Sequence, residues 1–230
     1  MRVFSNTNPD LYIVPTPVGN LGDITQRARE VLASADIIFC EDTRRAKKLL
    51  NHLGISAKLI SLHSYNEDRR INQVLGYLKE GKKIAYITDS GTPGISDPGA
   101  ALVRAAMESG FSVSVLPGPT AFVPAVIMSS LRCDRFGFFG FPPASGQNRR
   151  KFLRSLADFG YTLVFYESPH RLVKMLADCL KIFGDRKCAV VKEISKVYET
   201  VVVGKISEMI EYFSANPPRG EFVVVIEGKS

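Results

Sequence analysis

Tryptophan is absent from this 230-residue sequence, and histidine and cysteine are scarce at three and four residues. Cys40, Cys133, Cys179 and Cys188 stand far apart with no C-x-x-C pair, so neither a disulfide framework nor a zinc site is indicated. His63 and His170 lie away from the cysteines and from any H-x-x-x-H spacing, which argues against a metal. No apolar run approaches the roughly 18 residues of a membrane-spanning helix. The opening MRVFSNTNPD lacks the apolar core of a secretory signal. A cytoplasmic protein without metal or membrane attachment is the expectation.

What is present is an ordinary folding composition, 45% hydrophobic and 23% charged, which excludes intrinsic disorder. Thirty basic against 23 acidic residues leave a net charge of +7. Residues 1–119 carry +2 of it and residues 120–230 carry +5. The excess suits a polyanionic partner or a solvated basic surface equally well.

Short apolar runs alternate with amphipathic ones along the chain. LYIVPT (11–16), IIFCE (37–41), KLISL (58–62), IAYIT (84–88) and VSVLP (113–117) have the length and β-branching of strands. The intervening segments 24–35, 44–53, 67–80 and 97–110 have helical periodicity; the last is expected to start at Asp97-Pro98 and stop at Gly110. LPGPTAF (116–122) interrupts any regular element and marks a boundary between domains 1–118 and 119–230. Beyond it, strands are expected at 161–167, 188–193, 197–204 and 222–228, with helices at 120–131, 148–159, 169–183 and 205–215. YETVVVG and EFVVVIEG suggest antiparallel pairing in this half. The fold class is α/β, two αβα lobes with mixed, mostly parallel sheets.

Three turn-rich loops directly follow strands: PTPVGNLGD (15–23), TDSGTPGISDPG (88–99) and PGPTA (117–121). In an open α/β sheet such loops form the ligand-binding rim, although each alone also fits an ordinary strand-to-helix turn. The first is not G-x-G-x-x-G, and no G-x-x-x-x-G-K-[ST] occurs, so dinucleotide and P-loop fingerprints both fail.

LYIVPTPVGNLGDIT, IIFCEDTR, SLHSYNE, ITDSGTPGISDPG, LPGPTA, FYESPHR and RGEFVVVIEG, in this order and spacing, resemble the tetrapyrrole-methylase-like (class III) methyltransferases. More narrowly, they resemble the branch that methylates a cytidine ribose 2′-oxygen in small-subunit (16S) ribosomal RNA; a methylase of a small tetrapyrrole on the same fold and a non-catalytic RNA-binding relative are the alternatives. The resemblance implies S-adenosylmethionine as cofactor, bound in a cleft between the lobes, a homodimer, and small-subunit rRNA or the 30S subunit as partner. It implies cofactor contacts at Val18, at Thr92 and Ile95, at Thr120 and Ala121, at Tyr166 and at Gly220. The family usually carries a further small helical segment after the last motif, where this sequence reaches Ser230. RNA affinity is then expected from the lobes, a partner or the dimer.

Ribose methylation needs a group to take the hydroxyl proton, and polar residues at strand ends are the candidates. Glu167, just after a strand and before Ser168-Pro169, is the favoured base or orienter, with Ser168 capping the next helix. Asp42 is a further candidate, but equally an N-cap beside Arg44. Lys192 and Glu193 end another strand and fit proton transfer or a plain ion pair. Arg44, Arg149, Arg150 and Lys151 are the expected phosphate contacts, the last three in FPPASGQNRRK beside several phenylalanines.

Overall fold

The computed structural model describes residues 8–229; the reading of the opening segment falls largely on residues 1–7, outside the described residues. Five short apolar runs build a first sheet: Leu11–Ile13 (β1), Ile37–Cys40 (β2), Lys58–Ser61 (β3), Ile84–Ile87 (β4) and Val113–Val115 (β5). Helices Gln26–Ser34 (α1), Thr43–Leu53 (α2), Glu67–Lys79 (α3) and Ala100–Glu108 (α4) connect them. The strand order is β3-β2-β4-β1-β5, and every pairing is parallel. Side chains alternate across a strand. Tyr12, Val14, Ile38, Cys40, Ala85 and Ile87 therefore pack on α1 and α2, while Leu11, Ile13, Phe39, Ile84 and Tyr86 pack on α3 and α4. Covered on both faces, these strands read as continuous apolar runs.

Helix ends follow local chemistry. Thr25 accepts a hydrogen bond from the Ala28 N–H at 3.0 Å and caps α1. α4 begins at Ala100 and not at Asp97-Pro98, because the Pro98 carbonyl accepts from the Gly94 N–H at 3.0 Å and closes a turn first.

The remaining elements are Phe122–Met128 (α5), Phe136–Phe138 (β6), Gly146–Ser155 (α6), Thr162–Glu167 (β7), Leu172–Phe183 (α7), Lys187–Lys192 (β8), Thr200–Lys205 (β9), Ile206–Ala215 (α8) and Phe222–Ile226 (β10). They form a second sheet in the order β6-β7-β10-β8-β9. Only β6 and β7 run parallel; the other three pairings are antiparallel. The parallel bias expected of both sheets thus holds for the first. The 193–199 link is too short for a crossover, so β8 and β9 must pair antiparallel. β9 and β10 do not pair with each other; each flanks β8. α6, α7 and α8 cover one face, where Phe165, Val190 and Val224 point, and α5 covers the other, over Val164, Ala189 and Val223.

The chain divides into two units, Met1–Thr120 and Ala121–Ser230. No described helix is long and apolar enough to cross a membrane.

Candidate active site

In the first unit, β4, β1 and β5 are neighbours in that order, so their carboxyl-end loops emerge side by side. The three loops are fastened together. Thr16 and Gly91 exchange backbone hydrogen bonds of 2.9 and 3.0 Å, and the Thr16 hydroxyl donates to the Thr88 carbonyl at 3.1 Å. The Thr92 hydroxyl donates to the Pro119 carbonyl at 3.0 Å. A Cβ on Gly118 would stand 2.6 Å from Cβ of Pro15, so only glycine lets the first and third loops approach this closely. Val18 and Thr120 are half-buried on this rim and Ile95 is exposed. The Thr92 hydroxyl, expected to face a cofactor, also fastens the rim.

β2 and β4 are adjacent, which brings a carboxylate cluster to the same edge. Asp42 caps α2, accepting from the Arg44 N–H at 2.8 Å and from its guanidinium at 2.7 Å. That guanidinium holds the Asp42 carboxyl well below the usual range. Arg44 locks this carboxylate while its side chain stays largely exposed. Asp89 accepts from the Asp42 N–H at 3.2 Å and pairs with Arg45 at 3.4 Å. Burial, then the charge of Asp89, raises the Glu41 carboxyl; burial likewise raises Asp89. Burial pushes the Cys40 thiol up to about 12, which leaves it a small core residue. Asp89 and its pairing with Arg45 could not be read from the sequence, because the adjacency of β2 and β4 is not written in either segment.

In the second unit, Glu167 is buried at the end of β7. Its Oε1 accepts from the Ser168 N–H at 2.8 Å, and Arg171 donates to Oε2 at 3.2 Å. Burial raises its carboxyl despite these partners. With both oxygens engaged, Glu167 fits an orienting role better than that of a free base. Ser168-Pro169 does not open α7: the Ser168 carbonyl accepts from Arg171 and Leu172, both at 3.1 Å, and the helix starts three residues later than expected. Glu193 adopts a left-handed φ of 54° and accepts from Lys196 and from the Glu221 N–H, both at 2.9 Å. Burial would raise its carboxyl, but these partners outweigh it and hold it low, with Lys192 adding to the field. Gly220 lies against that carboxylate, which a Cβ would strike.

Arg149 is a correction. Expected at an RNA surface, it is 6% exposed, and its guanidinium meets Asp178 at 2.7 Å, since α6 turns this residue onto α7. Arg150 reaches the same carboxylate at 3.6 Å with a half-exposed side chain, and Lys151 faces solvent. Tyr166 is half-buried, its ring 4.9 Å from Phe138 and 5.5 Å from Phe141.

Residues 10–210 match the tetrapyrrole (corrin/porphyrin) methylases. The chain belongs to the tetrapyrrole methylase family. It is 43% identical over 97% of its length to ribosomal RNA small subunit methyltransferase I of Escherichia coli O157:H7, covering 79% of that protein. It is 45% identical over 95% of its length to the protein of the same name from Thermotoga maritima, covering 98% of it. Among solved structures, uroporphyrin-III-C-methyltransferase from Thermus thermophilus matches with a TM-score of 0.67 at 19% identity, over 94% of this chain and 93% of that one. At that identity the likeness speaks for the tetrapyrrole methylase fold alone.

Proposed function

We propose that this chain is an S-adenosylmethionine-dependent methyltransferase that 2′-O-methylates a cytidine ribose in 16S rRNA of the small ribosomal subunit. The observation that carries the reading is the fastened rim of PTPVG, GTPGI and PGPTA, in a chain this similar to named small-subunit rRNA methyltransferases. A 30S particle as partner places the work in the cytoplasm, and the resemblance implies a homodimer.

The rim fits the cofactor in kind: main-chain groups brought close by glycine and proline, with Val18 and Ile95 offering apolar contact. In the first unit, Val18, Thr92, Ile95 and Thr120 are the assigned contacts; in the second, Ala121, Tyr166 and Gly220. When bound, the cofactor supplies an electrophilic methyl group on a sulfonium. The chain's own part is to hold nucleophile and methyl in line, a contribution of about 7–11 kcal/mol when geometry is good. Glu167 acts through Arg171, and Asp42 through Arg44, as orienting groups. Lys192, half-buried at the end of β8 beside Glu193, is assigned to orient the ribose. Arg44, Arg150 and Lys151 supply phosphate contacts.

The test is transfer of labelled methyl from S-adenosylmethionine to undermethylated small subunits, followed by mass mapping of the rRNA. One new ribose methyl on a cytidine is expected. A methyl on a base, or none on RNA, would overturn the reading.

A further inference from the structure

We infer that Phe141 is a stacking platform for an unpaired base of the RNA substrate. The inference rests on the rRNA reading above and names the side chain that holds a nucleotide beside Tyr166. The Tyr166 N–H donates to the Gly140 carbonyl at 2.9 Å, carrying the β6–β7 ladder past Phe138, and Phe141 is the next residue to leave the sheet. Its ring lies 5.5 Å from that of Tyr166, tilted by 57°, yet Phe141 is 53% exposed. Behind it the rings continue inward: Tyr166 meets Phe138 edge-on at 4.9 Å, and Phe138 stacks on Phe122 at 4.4 Å. Phe141 is the most exposed ring of this series; Tyr166, Phe138 and Phe122 behind it are half-buried.

The loop that carries Phe141 is held at two points just beyond it. Arg171 donates to the Pro142 carbonyl, and Arg149 reaches the Ala144 carbonyl at 3.5 Å. Each arginine is fixed in turn by a buried carboxylate, Glu167 for the first and Asp178 for the second. Two guanidiniums thus hold the backbone beside an exposed ring, which reduces the ordering cost of a contact made there. The loop leads into α6, whose Lys151 and Arg154 are exposed and whose Arg150 is half-exposed. An aromatic face followed by cations suits a planar base on a polyanionic strand, and stacking of this kind tolerates any base.

The experiment uses the full chain and small ribosomal subunits. Phe141→Ala and Phe141→Leu are each expected to raise the KM for subunits roughly tenfold, the scale of losing one stacked base. Phe141→Trp restores it. Affinity for S-adenosylmethionine stays at the wild-type value, and so does the slope of RNA affinity against salt, because no phosphate contact is lost. The Arg150→Glu, Lys151→Glu double variant behaves oppositely, flattening the slope. Leucine keeps the apolar bulk without a π-face, so wild-type behaviour of Phe141→Leu would overturn the inference. Weakened cofactor binding in Phe141→Ala would overturn it as well. A wild-type protein that transfers no methyl to rRNA would instead sink the underlying reading, and this inference with it.

Discussion

Asp89 joins the loop after β4 to the turn from β2 into α2: its carboxylate accepts from the Asp42 N–H and pairs with Arg45, and its own N–H donates to Glu41. Burial raises its folded pKa above the unfolded aspartate value of about 4. The fold therefore holds its proton to higher pH than the unfolded chain does. Its stability contribution is fully present below the unfolded pKa and lost as pH rises through the raised folded value. Removing the Asp89 charge also relieves the raised Glu41 carboxyl. Asp89→Asn should thus lose less stability than wild type between about pH 4 and pH 7, measured by urea unfolding at both ends. An unchanged pH dependence would contradict the assignment. Part of this scale was readable in advance, including Asp42 as a cap. Arg149 was not, because a basic run in sequence does not say which residue the helix turns inward.

Among elements, α6 and α7 are joined by a charge pair removed from water, Arg149 with Asp178. Asp178→Ala leaves a buried guanidinium unpaired and should cost about 3–5 kcal/mol of stability. Replacing both residues by apolar ones of similar size should recover most of that loss. Calorimetric or denaturant unfolding of the single and double variants checks both; a double variant as weak as the single would contradict the buried-pair account. β6 was not legible as a strand, being three residues with a central glycine in an aromatic-rich stretch. The inner strands β1, β2 and β4 of the first sheet were legible because burial on both faces writes itself as continuous apolar runs. The runs of β1, β4 and β5 came out shorter at their ends, since their last residues leave the ladder to build the rim.

For the whole molecule, the sequence motifs placed the rim loops correctly after their strands but could not show how they are fastened. That information lies in pairings between segments far apart, such as Thr16 with Gly91 and Thr92 with Pro119. The direction of strands in the second unit was likewise set by connection lengths and by the insertion of β10 between β7 and β8. Family membership and the fold agree, and the reaction follows from them as a proposal whose foundation is a methyl-donor site on this rim. The most direct measurement is calorimetric titration of the full chain with S-adenosylmethionine, in wild type and in Gly118→Ala. The account predicts saturable binding by wild type and at least tenfold weaker binding once a methyl group wedges the first and third loops apart. Absence of saturable heat from a folded wild-type protein, or equal affinity in the two, would contradict it.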